Sequence, residues 1–319
     1  MDPVSHAALG AACAQAALFK WDKYKITWIV GALAGMAPDL DVFIRSASDP
    51  MLLLIYHRQF THSLSFIPIG GLFVALCLCV IKRFRLQLIL TIVAALIGYG
   101  THGLLDACTN YGTVLYWPFS HERISWDVIA IVDPRFTIPL ILGVIWTTVF
   151  VSRKGVLCGL GVAGALMTVN IWQQHRVLAI VEQYAQLHHW TLNKRHAFPD
   201  IASTSWWRAI ALVNHQQVFV ANVRVPIFGK PVIDAPEMFP LFKAVHLPPY
   251  VAHTGEQLRD YRVFNWFTDG YLIEARKNPL ILVDGRFLVG YKPMIALWGI
   301  QFVPQQNHVN KIRFLTLEY

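Results

Sequence analysis

Histidine and aspartate side chains are grouped at three places in the most apolar part of this 319-residue chain. Residues 38–41 read Pro-Asp-Leu-Asp, residues 57–63 read His-Arg-Gln-Phe-Thr-His-Ser, and residues 102–106 read His-Gly-Leu-Leu-Asp. Ionisable side chains are costly at membrane depth, so they usually mark a functional site there. Imidazole and carboxylate groups together are typical ligands of a divalent transition metal. The three groups therefore predict a metal site within a membrane domain.

Each group also has a plain structural explanation. His102 and Asp106 are four residues apart, so a helix would place both on one face, as two ligands or as a histidine beside a helix-end carboxylate. Asp39 and Asp41 follow an apolar segment, and a helix C-terminus disfavours anions unless a cation or water compensates. Arg58 and its neighbours fit a basic interface loop as well as an anion clamp. Taken together, the groups favour the metal site.

The composition indicates a membrane domain followed by a soluble one. Hydrophobic residues make up 55% of the chain and charged residues only 14%, against about 25% charged in soluble proteins. The long apolar runs lie in residues 1–175, whereas residues 176–319 have an ordinary globular composition. We therefore predict a mainly α protein, with a polytopic helical membrane domain of about five to six helices over 1–175. A small soluble α+β domain would cover 176–319.

Charge and cysteine content limit the kinds of binding partner that the sequence predicts. The net charge of +8 does not indicate nucleic acid, because no basic run is interleaved with stacking aromatics. Lysine and arginine instead orient membrane proteins. None of the five cysteines lies in residues 176–319, so no disulfide framework is expected there. Membrane lipids are the expected partners, and the sequence leaves any protein partner and the role of residues 176–319 open.

Basic residues occur in alternate connections between the apolar segments, at 20–25, 82–85 and 153–154. The positive-inside rule makes these connections cytoplasmic. The histidine and aspartate groups and the C-terminal domain then face the periplasmic side of a bacterial inner membrane. His6 starts the first segment on that side and becomes a further candidate ligand. The six apolar segments lie near 6–19, 26–44, 63–81, 86–108, 137–151 and 155–173.

Residues 1 to about 150 resemble the membrane-bound, metal-dependent hydrolase family typified by YdjM and YbcI. The resemblance implies a multi-helix inner-membrane fold with a metal site and hydrolase activity. Shorter members of that family lack a counterpart of residues 176–319. The motifs that carry the resemblance are His6, Pro38-Asp39-Leu40-Asp41, His57-Arg58-x-x-Thr61-His62-Ser63, His102-x-x-x-Asp106 and Trp117-Pro118-Phe119-Ser120.

The predicted function is that of a membrane-embedded metal-dependent hydrolase. One or two divalent transition metal ions, zinc in the first place and manganese or iron otherwise, would activate water against an amphiphilic, lipid-like ester or phosphoester. The predicted metal ligands are His6, Asp39, His62, His102 and Asp106. The predicted catalytic residues are Asp41 as general base, Arg58 against developing charge, and His57, with Asp41 and His57 also as further ligands or as a second layer around the ion. The predicted substrate-binding residues are Arg58 and Arg123.

Two other functions remain open from the sequence. An ion-coupled transporter would carry polar residues at several membrane depths, whereas these groups fall on one side only. A non-catalytic assembly protein would use the metal to hold its helices together. In that case, replacing His62 or His102 would lower the yield of folded protein rather than only its activity.

Overall fold

The computed structural model describes residues 1–23, 25–253, 255–290 and 294–317. The chain forms two compact units. Residues 44–55 belong to the second unit although they lie between Asp41 and His57 in the sequence. Unit 1 comprises Met1–Phe43, Tyr56–Gln174 and Phe198–Thr204, and unit 2 comprises Ile44–Ile55, His175–Ala197 and Ser205–Tyr319.

The N-terminal half is helical, as predicted. Its first helix begins where Asp2 caps it, accepting a hydrogen bond from the Ser5 amide at 3.0 Å. The helices are α1 (Pro3–Leu18), α2 (Thr27–Met36), α3 (Leu52–Tyr56), α4 (Ile67–Leu78), α5 (Lys82–Arg85), α6 (Leu88–Ala107), α7 (Pro134–Phe150) and α8 (Lys154–Leu187). Short 3-10 segments cover Ala37–Phe43, Phe60–His62 and Leu64–Phe66.

Glycines allow the central helices of unit 1 to pack closely. A Cβ atom on Gly10 of α1 or on Gly98 of α6 would lie less than 3.0 Å from the carbonyl oxygen of Gly31 in α2. Small residues at such positions bring helix backbones together. One apolar core joins α1, α6, α7 and α8, and a second joins α1, α2, α4 and α6.

The number of membrane-spanning helices is smaller than the predicted five to six. Among the described residues, Leu88–Ala107 and Lys154–Leu187 are long and apolar enough to cross a membrane. Leu52–His62 and Leu64–Leu78, bent by 60° at their junction, would make a third span together. The other predicted spans form helices that are too short, because a full crossing needs about 20 residues. Thus α1 has 16 residues, α2 has 10 and α7 has 17.

Unit 2 contains the predicted α+β domain, built from two sheets. The first sheet has the strand order β1-β2-β3-β4 and packs on the C-terminal turns of α8 through Val177 and Val181. The second has the order β5-β6-β8-β7, with β9 also paired to β8, and contacts α10 through Trp298. The strands are β1 (Leu192–Pro199), β2 (Trp206–Val213), β3 (Gln217–Arg224), β4 (Val232–Pro240), β5 (Leu272–Arg276), β6 (Ile281–Asp284), β7 (Leu288–Val289), β8 (Ile295–Gln301) and β9 (Asn310–Thr316). The helices α9 (Pro249–His253) and α10 (Gly255–Phe267) connect the sheets.

Candidate metal centre

Three segments of unit 1 bring four of the predicted ligands together. Asp39 lies in the 3-10 segment that follows α2, where Pro38 lacks the amide hydrogen needed to continue a regular helix. His62 ends the 3-10 segment Phe60–His62. His102 and Asp106 occupy the last turns of α6, where their spacing of four residues places them on one face.

Most of the distances between the four ligand atoms suit one tetrahedral ion. Asp39 Oδ1 is 3.5 Å from His62 Nε2 and 3.4 Å from His102 Nε2. Asp106 Oδ2 is 3.3 Å and 3.6 Å from the same two nitrogens. The two nitrogens are 2.9 Å apart. Ligands about 2.0–2.2 Å from a tetrahedral ion are separated by about 3.3–3.6 Å, so four of these five distances agree with such an ion.

The hydrogen-bond partners of the two imidazoles fix their tautomers. His102 Nδ1 is 2.5 Å from the carbonyl oxygen of Gly35, which can only accept. His62 Nδ1 is 3.2 Å from Asp41 Oδ2, which also accepts a hydrogen bond from the Thr61 hydroxyl at 2.8 Å. Both Nδ1 atoms therefore carry the hydrogen, and a neutral imidazole then presents a lone pair at Nε2. Both lone pairs point into the four-atom cluster.

Four acceptor atoms thus converge in a buried space. The side chains of His62, His102 and Asp106 are fully buried. No described residue donates a hydrogen bond to Asp106 Oδ2, although the Arg58 Nε atom lies 3.0 Å away. Facing lone pairs and carboxylate oxygens repel one another unless a positive charge lies between them. Two imidazoles and two carboxylates suit a divalent transition metal, so the residues present fit such an ion.

Asp41 lies behind His62, on the side away from the four-atom cluster. Its Oδ2 atom accepts hydrogen bonds from the Arg58 amide at 3.1 Å and the Thr61 hydroxyl at 2.8 Å. Its Oδ1 atom is 2.7 Å from His57 Nδ1. The carboxylate is fully buried and both oxygens are engaged. This position does not suit the general base that we predicted from the sequence, but it suits a group that orients two histidines.

Arg58 is committed to the protein rather than open to a substrate. Its Nη1 atom donates to the Thr109 hydroxyl at 2.9 Å, and its guanidinium carbon lies 4.5 Å from the centre of the Tyr111 ring. Together with the ion pair to Asp106, these contacts occupy a buried guanidinium. Arg123 is half-buried, and its guanidinium carbon lies 5.2 Å from the centre of the same ring. Its Nη2 atom donates to the carbonyl oxygens of Tyr111 at 3.3 Å and Gly112 at 3.0 Å. Of the two predicted substrate-binding arginines, Arg123 is the more accessible.

His6 borders the four-atom cluster without belonging to it. Its Nε2 atom is 3.1 Å from Asp106 Oδ1, the oxygen that faces away from the four-atom cluster. Its ring stacks on that of His102 with centroids 3.6 Å apart. The Met1 amino group contacts the same oxygen of Asp106. His6 therefore supports two of the ligands, as expected for a residue in the surrounding layer.

A comparison with protein families identifies the membrane half. The family model described as YdjM inner membrane protein matches residues 1–177. The chain belongs to this family. The match includes every ligand-bearing segment of unit 1 and confirms the resemblance predicted from the motifs. No curated protein and no solved structure matches the chain.

The YdjM-family cluster is accessible on one side. The side chain of Asp39 is 21% exposed, whereas the other three ligands are fully buried. Leu40 and Phe43, in the same 3-10 segment as Asp39, are 60% and 69% exposed. The accessible side of the four-atom cluster therefore lies next to apolar side chains.

Several supporting residues of this YdjM-family site were missed by sequence reasoning. Gly35 accepts from His102, Thr109 accepts from Arg58, and Tyr111 stacks on Arg58. Their residue types carry no metal signal. Only Thr61 had a sequence signal, because it lies between His57 and His62.

A further group of acidic and histidine side chains lies in unit 2 and consists of Asp49, Asp260 and His308. Asp260 Oδ2 is 3.0 Å from His308 Nδ1. Arg259 Nη1 lies 2.8 Å from Asp49 Oδ2 and 3.7 Å from Asp260 Oδ1. The guanidinium already supplies the positive charge between the carboxylates. We therefore interpret this group as an ion-pair network.

Proposed function

We propose that this YdjM-family protein is a membrane-embedded, metal-dependent hydrolase that acts on an amphiphilic ester or phosphoester. One observation carries the proposal. Two imidazole nitrogens and two carboxylate oxygens, from Asp39, His62, His102 and Asp106, converge, and each of the four distances between a nitrogen and an oxygen is 3.3–3.6 Å. When bound there, a divalent ion of zinc, manganese or iron would supply Lewis acidity and an activated water.

His57 is the proposed general base. Its Nδ1 atom lies 2.7 Å from Asp41, which can only accept, so the lone pair of the imidazole is at Nε2. The ring is partly exposed, whereas the Asp41 carboxylate is fully buried. An imidazole oriented by a carboxylate is a common arrangement for proton transfer near neutral pH. Asp41 therefore acts by positioning His57 and His62.

Arg58 and Arg123 have different proposed roles. The ion pair between Arg58 and Asp106 holds the carboxylate in place against the repulsion of Asp39 nearby. Arg123 is half-buried beside Tyr111 and is the proposed contact for an anionic group of the substrate. The substrate contact that we predicted from the sequence for both arginines is thus assigned to Arg123, and Arg58 is assigned to positioning Asp106.

The proposed substrate is amphiphilic because apolar side chains lie next to the accessible ligand. Leu40 and Phe43 are exposed in the segment of Asp39, and Tyr116 and Phe119 are exposed in the loop before α7. Such residues suit the boundary between lipid tails and headgroups. The basic connections of unit 1 lie at the opposite helix ends, so the proposed site faces the periplasmic side.

Metal analysis of the purified full-length protein tests the proposal. We expect about one or two equivalents of zinc, manganese or iron in the wild type and in His121→Ala, since His121 is exposed. His62→Ala should lose most of the metal. The wild type and both variants should then be assayed against a phospholipid and a soluble phosphoester.

Three outcomes would contradict the proposal that the protein is a metal-dependent hydrolase. A wild type without metal would mean that protonated imidazoles relieve the repulsion instead. Metal without turnover of either substrate class would remove the hydrolase assignment. A folded yield that collapses in His102→Ala would favour the non-catalytic assembly protein.

A further inference from the structure

A polar pocket lies at the end of α1 that is opposite to His6. It is formed by the end of α1, the turn that follows and the end of α7, and its volume is about 270 Å³. That volume is slightly below the range of about 300–1,000 Å³ that is typical of drug-sized ligands. The pocket therefore suits a small polar group. It is separate from the four-atom cluster and from its supporting residues.

The pocket contains a buried acceptor whose orientation is fixed. Gln15 is 5% exposed, and its Nε2 atom donates to the Thr148 hydroxyl oxygen at 2.8 Å. The Thr148 hydroxyl donates to the carbonyl oxygen of Val144 at 2.8 Å, so the Thr148 oxygen must accept from Gln15. Gln15 Oε1 then has no hydrogen-bond partner among the described residues. A buried acceptor of this kind favours a ligand that brings a donor.

Three lysines give the pocket a positive charge. Lys20, Lys23 and Lys25 line it, and Lys25 Nζ donates to the carbonyl oxygen of Thr148 at 2.8 Å. Asp22 also lines the pocket, but its carboxylate accepts from the amides of residues 26 and 27 at 2.8 and 2.9 Å and caps α2. The pocket therefore favours an anion.

Apolar side chains adjoin the charged part. Phe19 and Val151 line the pocket, and Val151 and Trp21 are exposed. We propose that this pocket binds the headgroup of an anionic glycerophospholipid that carries a free hydroxyl. The phosphate lies among the lysines, a headgroup hydroxyl donates to Gln15 Oε1, and the acyl chains follow Phe19 and Val151. Basic pockets between membrane helices commonly hold such headgroups.

Native mass spectrometry of the full-length protein in detergent tests this inference. Phosphatidylglycerol should bind at least about fivefold more tightly than phosphatidylethanolamine, and soluble glycerol 3-phosphate should not compete with it. Lys20→Gln/Lys23→Gln should remove this preference, because both ammonium groups are lost. Gln15→Leu should weaken phosphatidylglycerol binding about fivefold through the loss of one hydrogen bond. Lys82→Gln, in another basic connection, should leave the preference intact.

Specific results would overturn the assignment. Equal effects of Lys82→Gln and of the double variant would show that the surface charge alone attracts the lipid. Competition by glycerol 3-phosphate would show that the pocket takes a soluble phosphate. Unchanged phosphatidylglycerol binding in folded Gln15→Leu would show that Gln15 Oε1 does not accept a hydrogen bond from the headgroup. None of these outcomes depends on metal content or hydrolysis.

Discussion

Asp41 connects two histidines that have different proposed tasks. One oxygen faces the Nδ1 atom of His62, which presents its other nitrogen to the metal ligands, and the other faces His57. A single carboxylate thus fixes both the ligand tautomer and the tautomer of the proposed base. Metal binding and proton transfer should therefore be separable by mutation.

We expect His57→Gln to keep the metal but to lower the rate of hydrolysis about 100-fold or more. The reason is that a general base contributes about 10²–10⁴-fold, while His57 contributes no atom to the tetrahedral set. Metal content and kcat measured on the same sample give the test, with His121→Gln as the exposed control. A variant that lost its metal would make His57 a ligand and remove the base assignment.

Residue types and spacing predicted which side chains come together but not how each of them is oriented. The His102-x-x-x-Asp106 spacing on a helix predicted a shared face, and Asp39 and His62 had the right chemistry. The spacing could not show which oxygen of Asp41 faces which ring. Nor could it show that Arg58 pairs with Asp106, because that contact depends on how distant segments pack.

Helix packing holds His62 in position. A Cβ atom on Gly103 of α6 would lie less than 3.0 Å from the carbonyl oxygen of His62, with no flexible side chain between them. A Cβ atom on Gly100, one turn earlier, would meet only the side chain of Ile67 at 3.6 Å, an ordinary contact. Two glycines on one helix therefore differ in what a methyl group would displace.

We expect Gly103→Ala to lower metal affinity at least about tenfold, because the His62 backbone must move away from α6. Gly100→Ala should bind metal as the wild type does. Chelator competition with both purified variants provides the measurement, and thermal melting reports whether each remains folded. Equal affinities for the two variants would show that His62 tolerates the displacement.

Helix positions were predictable from hydropathy, whereas helix lengths were not. The second apolar segment extends from about residue 26 to 44 in the sequence, but α2 ends at Met36 and a 3-10 segment follows. Pro38 prevents a regular helix there, and the tighter segment carries Asp39 toward the other ligands. Hydropathy alone does not show where an α-helix changes to a 3-10 segment, so the predicted number of membrane-spanning helices was too high.

Residues 44–55 link the C-terminal unit to the metal-site sequence. They pack in unit 2, where Asp49 pairs with Arg259 of α10 at 2.8 Å, yet their two ends lead directly to Asp41 and His57. This arrangement was not predictable from the sequence, because no local pattern marks the segment as part of another unit. Through this segment, unit 2 is joined covalently to the sequence that carries the candidate site.

We expect Arg259→Gln to increase hydrogen exchange in residues 44–55 several-fold, since the variant removes one ion pair that holds the segment. Arg262→Gln, an exposed position on the same helix, is the matched control. Hydrogen exchange of residues 44–55 is measured by mass spectrometry on the full-length protein of each variant. Identical protection in both variants would mean that other contacts of unit 2 hold the segment.

The proposed membrane orientation is testable on the whole chain. If the basic connections lie in the cytoplasm, an alkaline phosphatase joined after residue 319 should be active, and a green fluorescent protein joined there should be dark. Moving the reporter to the connection at residues 82–85 should reverse both signals. A fluorescent C-terminal fusion would show that the chain has the opposite orientation in the membrane.

The ligand set is complete only when Asp106 has joined Asp39 and His62, which precede it by more than one helix. If the proposed ion binds there, the Asp39 carboxylate is therefore synthesised before the site that would hold its cation is complete. Loading of the proposed ion would then be a late step of biogenesis, after α6 has left the ribosome and been inserted. Cells starved of the metal would then accumulate inserted but immature protein, a natural target for membrane proteases.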